Sequence, residues 1–196
     1  PNDKITIRLI MTQNSSLTDG NEDETSGYNF VNGTNLECSL QDLLVEGGKY
    51  YTLDTFDQKA PGTHFIYSNF NCGILACIVE KVSGRLFTDF VRQEILMPMG
   101  VDASFRITDI ENPDIATTYL PDGEGVKISR TPESFVKSLY HIFPLGDNFR
   151  GPAGGLFISM RDLSRLMNVL MNHGYPLLKS STIEEMLKTQ WEGNGD

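Results

Sequence analysis

The chain is short of cysteine, of positive charge and of long apolar runs. It carries three cysteines, Cys38, Cys72 and Cys77, in 196 residues. An odd and low count excludes a disulfide framework. Cys72 and Cys77, five apart on a predicted helix, point to different sides, so buried or half-buried free thiols are expected. Neither these cysteines nor the scattered His64, His141 and His173 have zinc-ligand spacing, so no metal is expected. Lys and Arg number 16 against 26 Asp and Glu, a formal net charge of −10. Such a surface argues against binding DNA or RNA through backbone phosphates and against adhesion to an anionic membrane. The longest clear apolar run, Ile74 to Val79, is far from the ~20 residues of a membrane-spanning helix. There is no Gly-x-Ser-x-Gly elbow, and Gly154-Gly155 lacks the Lys-Ser/Thr of a phosphate loop, so no cofactor is implied. No signal peptide is visible, and the first residue is Pro1 rather than Met, so a processed form or a piece of a longer protein is expected. Free cysteines lean toward a cytoplasmic setting and the two sequons, at Asn14 and Asn32, lean away from it; the compartment stays open.

What is present supports a folded core. Hydrophobic residues make up 39% and charged residues 21%, which suits one domain over residues 1–196. Residues Ile5 to Met11 form a short apolar segment of ambiguous type. Residues 14–35 are polar and acidic, with Asp19, Glu22, Asp23 and Glu24 close together, and read as a solvated loop or insertion. Ser39 and Asp42 form a capping pair for a short helix that stops before Gly47-Gly48. Lys49 to Phe56 is β-prone. From Phe70 to Ser83 the residues Ile74, Cys77, Ile78 and Val82 recur at helical spacing, and Gly84 is a natural C-terminal stop. A second helix is predicted over Thr88 to Leu96, ended by Pro98 and Gly100, and a hairpin over Ala116 to Ile128. A short helix is predicted over Pro132 to His141. Ser159 and Asp162 open a third strong helix with a core stripe of Leu163, Leu166, Met167 and Leu170, stopped by Gly174. Ser181 and Glu184 read as the capping box of a last helix reaching about Gln190. The predicted fold class is mainly α with a minor β-hairpin.

The chemistry-bearing stretch is Pro61-Gly62-Thr63-His64-Phe65-Ile66-Tyr67-Ser68-Asn69. It sets a phenol and a carboxamide two residues apart, where a helix begins. The residue types suit a site that moves protons and holds an amide. The bland alternative is a capped helix with a packed aromatic beside it. A free tyrosine titrates near ~10, so work as a base at neutral pH needs nearby ammonium groups to lower that value. The asparagine amide, both donor and acceptor, could orient a substrate carbonyl or those lysines.

Five segments, in order, resemble one family. Ile5 to Leu17 resembles "ITIRHLLTHTSGL". Pro61-Gly62-Thr63 with Tyr67-Ser68-Asn69 resembles "PGTxFxYSN". Gly73 to Gly84 resembles "YGLLGxIIExVTG", and Ile95 to Gly100 resembles "IFxPLGM". Ala153-Gly154-Gly155-Leu156 with Ser159 to Met167 resembles "AGGLxSTAxDLARFM". The family is that of the serine β-lactamase-related and penicillin-binding-protein-like hydrolases, in its Tyr-x-Asn branch. The resemblance implies the helical lobe of the β-lactamase/transpeptidase-like α+β fold, incomplete here. It also implies an acyl-enzyme on the serine of a Ser-x-x-Lys motif, with Tyr67 as proton-transfer residue and Asn69 as the orienting amide.

The departures matter as much. The family places Ser-x-x-Lys upstream of the first segment and Lys-Thr-Gly or His-x-Gly downstream of the last; neither is present in these residues. The two family histidines are Leu9 and Gln13 here, and the family glycine of "TSG" is Ser16. The literal Ser-x-x-Lys at Ser134 to Lys137 reverses the family order and has unlike flanks. There are two functional readings. One is part of a serine hydrolase of lactams, esters or D-amino-acid amides, inactive on its own, with a small-molecule or peptide substrate in the intact protein. The other is a non-catalytic relative acting as a binding or scaffold domain. The missing nucleophile helix, central to the lobe in this family, is expected to leave an apolar groove open to homo-oligomerisation.

Overall fold

The computed structural model describes residues 4–20, 25–111, 113–137 and 141–193, the side chains of 136–137 excepted. Its first three helices are short: α1 (Ile7–Met11), α2 (Gly27–Asn32) and α3 (Leu40–Leu44). The Thr6 hydroxyl accepts from Leu9 N at 3.3 Å and starts α1. At α3 the Ser39 and Asp42 side chains each accept from the other's backbone N–H, the reciprocal cap read from the sequence.

The long helix α4 (Asn69–Ser83) is the spine of the molecule. It stops at Gly84, whose φ of 69° lets its N–H turn back to Glu80 O. Then come α5 (Phe87–Val91), continued by a wider π turn over Arg92–Leu96 and a 3₁₀ turn over Met97–Met99. An antiparallel hairpin follows, β1 (Thr118–Asp122) against β2 (Gly125–Arg130), with Tyr119 opposite Ile128 and Asp122 opposite Gly125. The chain ends with α6 (Pro132–Lys137), α7 (Met160–Met171) and α8 (Ser180–Leu187). Among the described residues helices carry the fold and the hairpin is the one sheet.

The main core is built around the buried face of α4. Phe70, Ile74 and Cys77 pack with Ile10, Leu17, Tyr28, Val31, Leu43, Tyr50 and Phe149. Tyr28 stacks on Phe70 at 4.8 Å between centroids, and Phe149 meets Phe70 edge-on at 6.0 Å. Gly73 permits this: a Cβ there would lie 2.5 Å from Phe149 O. At the far end of α4 the buried Glu80 carboxylate accepts from Phe87 N at 3.0 Å, Gly146 N at 2.7 Å and Asn148 Nδ2 at 3.0 Å. Three donors make that burial tolerable. Leu96, Val101 and Ala103 form a smaller cluster.

Several expectations are corrected. The β-prone Lys49 to Phe56 forms a 3₁₀ turn at Leu53–Thr55 and a single bridge from Phe56 to Leu17, because among the described residues no neighbouring strand is available to pair with it. Within 14–35, expected as a solvated loop, Asn14 to Leu17 are buried and α2 puts Tyr28 and Val31 into the core; Glu22 and Asp23, with Glu24, lie outside the described residues. Val82, placed on the core face by spacing, is 85% exposed, because it lies about 140° around the helix from Cys77, off the buried face that continues to Glu80. On α7 Met167 is exposed and Val169 is the buried apolar residue. The Ser181–Glu184 capping box is not formed; the N-cap of α8 lies two residues earlier, at Lys179. Of the predicted Pro132 to His141 helix, Pro132–Lys137 is seen as α6, His141 is not helical, and 138–140 lie outside the described residues.

Gly73→Ala tests the close contact. Alanine has the better helix propensity, by up to ~1 kcal/mol. Its methyl must nevertheless push Phe149 backbone away, and overpacking costs about 1–3 kcal/mol. Urea denaturation is expected to show net destabilisation; a more stable variant would contradict the packing.

Candidate active site

The site grows from a crossing of two segments. Residues 13–14 lie along 62–66: Gly62 N donates to Asn14 O at 2.8 Å, Ile66 N to Gln13 O at 2.9 Å, and Asn14 Nδ2 to His64 O at 3.0 Å. The crossing needs tight turns. Gln13 has φ 59° and Ser16 has φ 64°, both left-handed. Ser16 stands at the family glycine, and the left-handed backbone is the reason for a glycine there. Its hydroxyl donates to Lys59 O at 2.7 Å, which offsets part of the strain.

The same crossing delivers two acceptors to the start of α4. Gln13 Oε1 accepts from Ser68 N at 2.9 Å and from Asn71 Nδ2 at 2.7 Å. Ser15 Oγ donates to Asn71 Oδ1 at 2.7 Å, completing that buried amide. The Asp19 carboxylate does more. Oδ1 accepts from Ser68 Oγ at 2.7 Å and from Phe70 N at 2.9 Å, and Oδ2 accepts from Asn69 Nδ2 at 2.7 Å. A carboxylate at a helix N-terminus meets unsatisfied N–H groups and the positive end of the helix dipole. Ser68, the residue at the N-cap, makes no cap bond with its own side chain, and the first turn holds no acidic residue. The cap comes instead from a distant loop.

Asp19 thereby fixes the Asn69 amide. With Nδ2 turned to Asp19, Oδ1 faces the Tyr67 hydroxyl, which donates to it at 3.3 Å. Tyr67 is 67% exposed, so its phenol stands at the surface with the amide behind it. Among the described residues no lysine bonds Tyr67 or Asn69. The structure thus brings the two residues read from the sequence together. Tyr28, stacked beneath on Phe70, is held well above the ordinary tyrosine value of 10.0 by burial, and then by the Asp19 charge, so it stays neutral.

Other sequence candidates fall elsewhere. His64 Nε2 is 3.4 Å from Asp57 Oδ2, and its Nδ1 is 3.4 Å from Thr63 Oγ1. Ser134 is exposed on α6 and donates to Thr131 O at 2.7 Å, while the Lys137 side chain lies outside the described residues. Cys38, Cys72 and Cys77 are free thiols, and burial pushes the Cys38 thiol up to about 11. Among the described residues no group of three or more His, Cys, Asp or Glu could hold a metal ion, and no helix is long and apolar enough to cross a membrane. Sequence reasoning missed Asp19 and Gln13 as site residues. The available signal was a helix start with no acidic cap of its own.

Asp19→Ala strands the Ser68, Asn69 and Phe70 donors together. Hydrogen bonds to charged groups contribute ~1.5–3 kcal/mol each, with partial replacement by water. A loss of about 2–4 kcal/mol is expected in urea denaturation, against less than ~0.5 kcal/mol for the exposed Tyr67→Phe. Equal effects of the two substitutions would contradict the anchoring role.

A D-aminopeptidase of Brucella anthropi is 32% identical over 88 residues, covering 45% of this chain and 15% of that protein. Penicillin-binding protein 4* of Bacillus subtilis is 28% identical over 102 residues, covering 52% of this chain and 21% of that protein. The octameric penicillin-binding protein homologue from Pyrococcus abyssi shares the fold, with a TM-score of 0.66 at 20% identity, over 100% of this chain and 43% of that one. The chain therefore spans less than half the length of these proteins. The family described as Beta-lactamase matches residues 1–195. Collinear motifs, fold and family match agree: the chain belongs to the Beta-lactamase family.

Proposed function

We propose that this chain is the helical lobe of a serine hydrolase that works through an acyl-enzyme, and that Tyr67 and Asn69 are its contribution to the catalytic centre. The observation that carries the reading is the Tyr67 hydroxyl bonded to an Asn69 amide whose other end is held by Asp19. An exposed phenol with a fixed partner suits proton transfer to and from a reacting oxygen or nitrogen. A fixed amide suits the holding of a substrate carbonyl or a catalytic lysine.

In the intact enzyme a serine and lysine from chain outside these residues would stand against Tyr67. The serine attacks the carbonyl carbon of a lactam, ester or D-amino-acid amide, its proton passes to the tyrosine–lysine pair, and the leaving group receives that proton as the acyl-enzyme forms. Water then releases the acid. Loss of the nucleophile in other serine hydrolases costs on the order of 10⁶ in rate, so these residues alone are proposed to be inactive. Self-association through exposed apolar residues such as Met167 and Met171 on α7 belongs to the same proposal.

A non-catalytic relative acting as a binding or scaffold domain is the second reading; Gln13 and Ser16, departures from the family pattern, both carry defined bonds in the fold.

The test uses nitrocefin, a p-nitrophenyl ester and a D-alanine p-nitroanilide. The 196-residue chain is expected to turn over none of them above buffer. The gene product carrying its flanking chain is expected to hydrolyse at least one, and Tyr67→Phe there to lower kcat by about 10²–10⁴. Turnover by the short chain, or a full-length Tyr67→Phe with unchanged kcat, would overturn the assignment.

A further inference from the structure

The segment that carries Tyr67 also holds an imidazole to which the acyl-enzyme chemistry gives no task. The His64 side chain is 12% exposed. Its Nε2 is buried and makes no hydrogen bond among the described residues; the polar atom facing it is Asp57 Oδ2, at 3.4 Å. On the other side of the ring, Nδ1 lies 3.4 Å from Thr63 Oγ1.

Both of these neighbours offer lone pairs only. The Thr63 hydroxyl has one proton and donates it to Ala60 O at 2.7 Å, so Oγ1 can only accept from Nδ1. Asp57 is held ionised. Its Oδ1 accepts from Lys59 N at 3.0 Å, and that bond, with a smaller share from the His64 charge, keeps the carboxyl below its ordinary value. A neutral imidazole has one N–H and one lone pair, so one of its nitrogens must here face an acceptor without a proton to give. The imidazolium has an N–H on each nitrogen and suits both neighbours. The other charges nearby are turned elsewhere or exposed. Lys59 and Lys4 are exposed, and Arg8 of α1 is committed to Glu185. The crossing residues Gln13, Asn14, Ser15 and Ser16 do not titrate.

The pair closes a loop onto the site. Asp57 and His64 stand at the two ends of residues 58–63, with the left-handed Gly62 at φ 84° between them. Asp57 N donates to Ser16 O at 2.8 Å, so that end is tied to the same strand of chain that His64 crosses. His64 O accepts from Asn14 Nδ2 at 3.0 Å, between the bonds of Gly62 N to Asn14 O and Ile66 N to Gln13 O. Tyr67 follows directly.

We propose that Asp57 and His64 form a proton-operated latch on residues 61–69: protonated His64 pins the segment to the 57–60 loop, and loss of that proton loosens it. Imidazole is the side chain whose charge ordinarily changes between about pH 5 and 8. The stabilising form is the charged one, so the hold is present on the acidic side of the imidazole titration and lost as pH rises through it. The Tyr67 phenol therefore stands on a firmer segment in acid than in alkali. This hold is independent of whether Tyr67 is catalytic.

Hydrogen exchange of the ¹⁵N-labelled 196-residue chain, followed by NMR at about pH 5.5 and about pH 8 and corrected for intrinsic rates, tests the latch. Protection of the Gly62 and Ile66 amides is expected to fall about threefold or more over that range, the scale of a partly exposed ion pair. Protection of Gly84 N, at the other end of α4, is expected to stay within about a factor of two. Asp57→Asn keeps an acceptor for Lys59 N and removes the charge, and His64→Gln cannot gain the proton. Each is expected to abolish the pH dependence at Gly62 and Ile66. An equal loss of protection at Gly84, pH-independent protection at Gly62 and Ile66, or an undiminished pH dependence in either variant would overturn the latch.

Discussion

The Asp19 carboxylate is the contact on which the rest depends. It sits where the first turn of α4 needs acceptors, and it takes three donors there, from Ser68, Asn69 and Phe70. Two of these bonds have a second consequence. The bond to Phe70 N fixes the start of the helix whose next turns carry Ile74 and Cys77 into the core. The bond to Asn69 Nδ2 decides which way that amide faces, and so gives Tyr67 its acceptor. Stability and site geometry are therefore set by one group.

The loop that brings Asp19 there is itself ordered by buried polar bonds. Gln13 takes Ser68 N and the Asn71 amide, and Ser15 completes Asn71. Asn14, Ser15 and Ser16 are 1–3% exposed, so an unpaired group among them would be costly. The buried Asn14, with Nδ2 bonded to His64 O, also removes one of the two glycosylation triplets from use in the folded chain. The result is a rigid polar platform behind an exposed phenol, the arrangement that positioning of a reacting group requires.

Local signals were legible and long-range ones were not. Ser39 with Asp42, Gly84 after α4 and the turn between β1 and β2 act within a few residues, so sequence spacing reveals them. Tyr67 and Asn69 were legible because the family stretch around them is distinctive. Asp19 was not, because its partners lie about fifty positions away in sequence and an acidic residue among other acids looks solvated. Helical spacing also gives the direction of a side chain but not whether anything covers it; Met167 follows the stripe and remains exposed. Ser16 shows the converse: where the resembling family stretch has glycine, the backbone is left-handed, the conformation glycine adopts most easily.

The most direct test of the central claim is hydrogen exchange at the Asn69 side-chain amide, followed by NMR. With Nδ2 held by Asp19, its protons are predicted to exchange at least about tenfold more slowly than those of an exposed asparagine such as Asn35, since exchange must await breaking of a charge-assisted bond. An Asn69 amide exchanging as fast as Asn35 would contradict the account, because the carboxylate would then not be holding the site together.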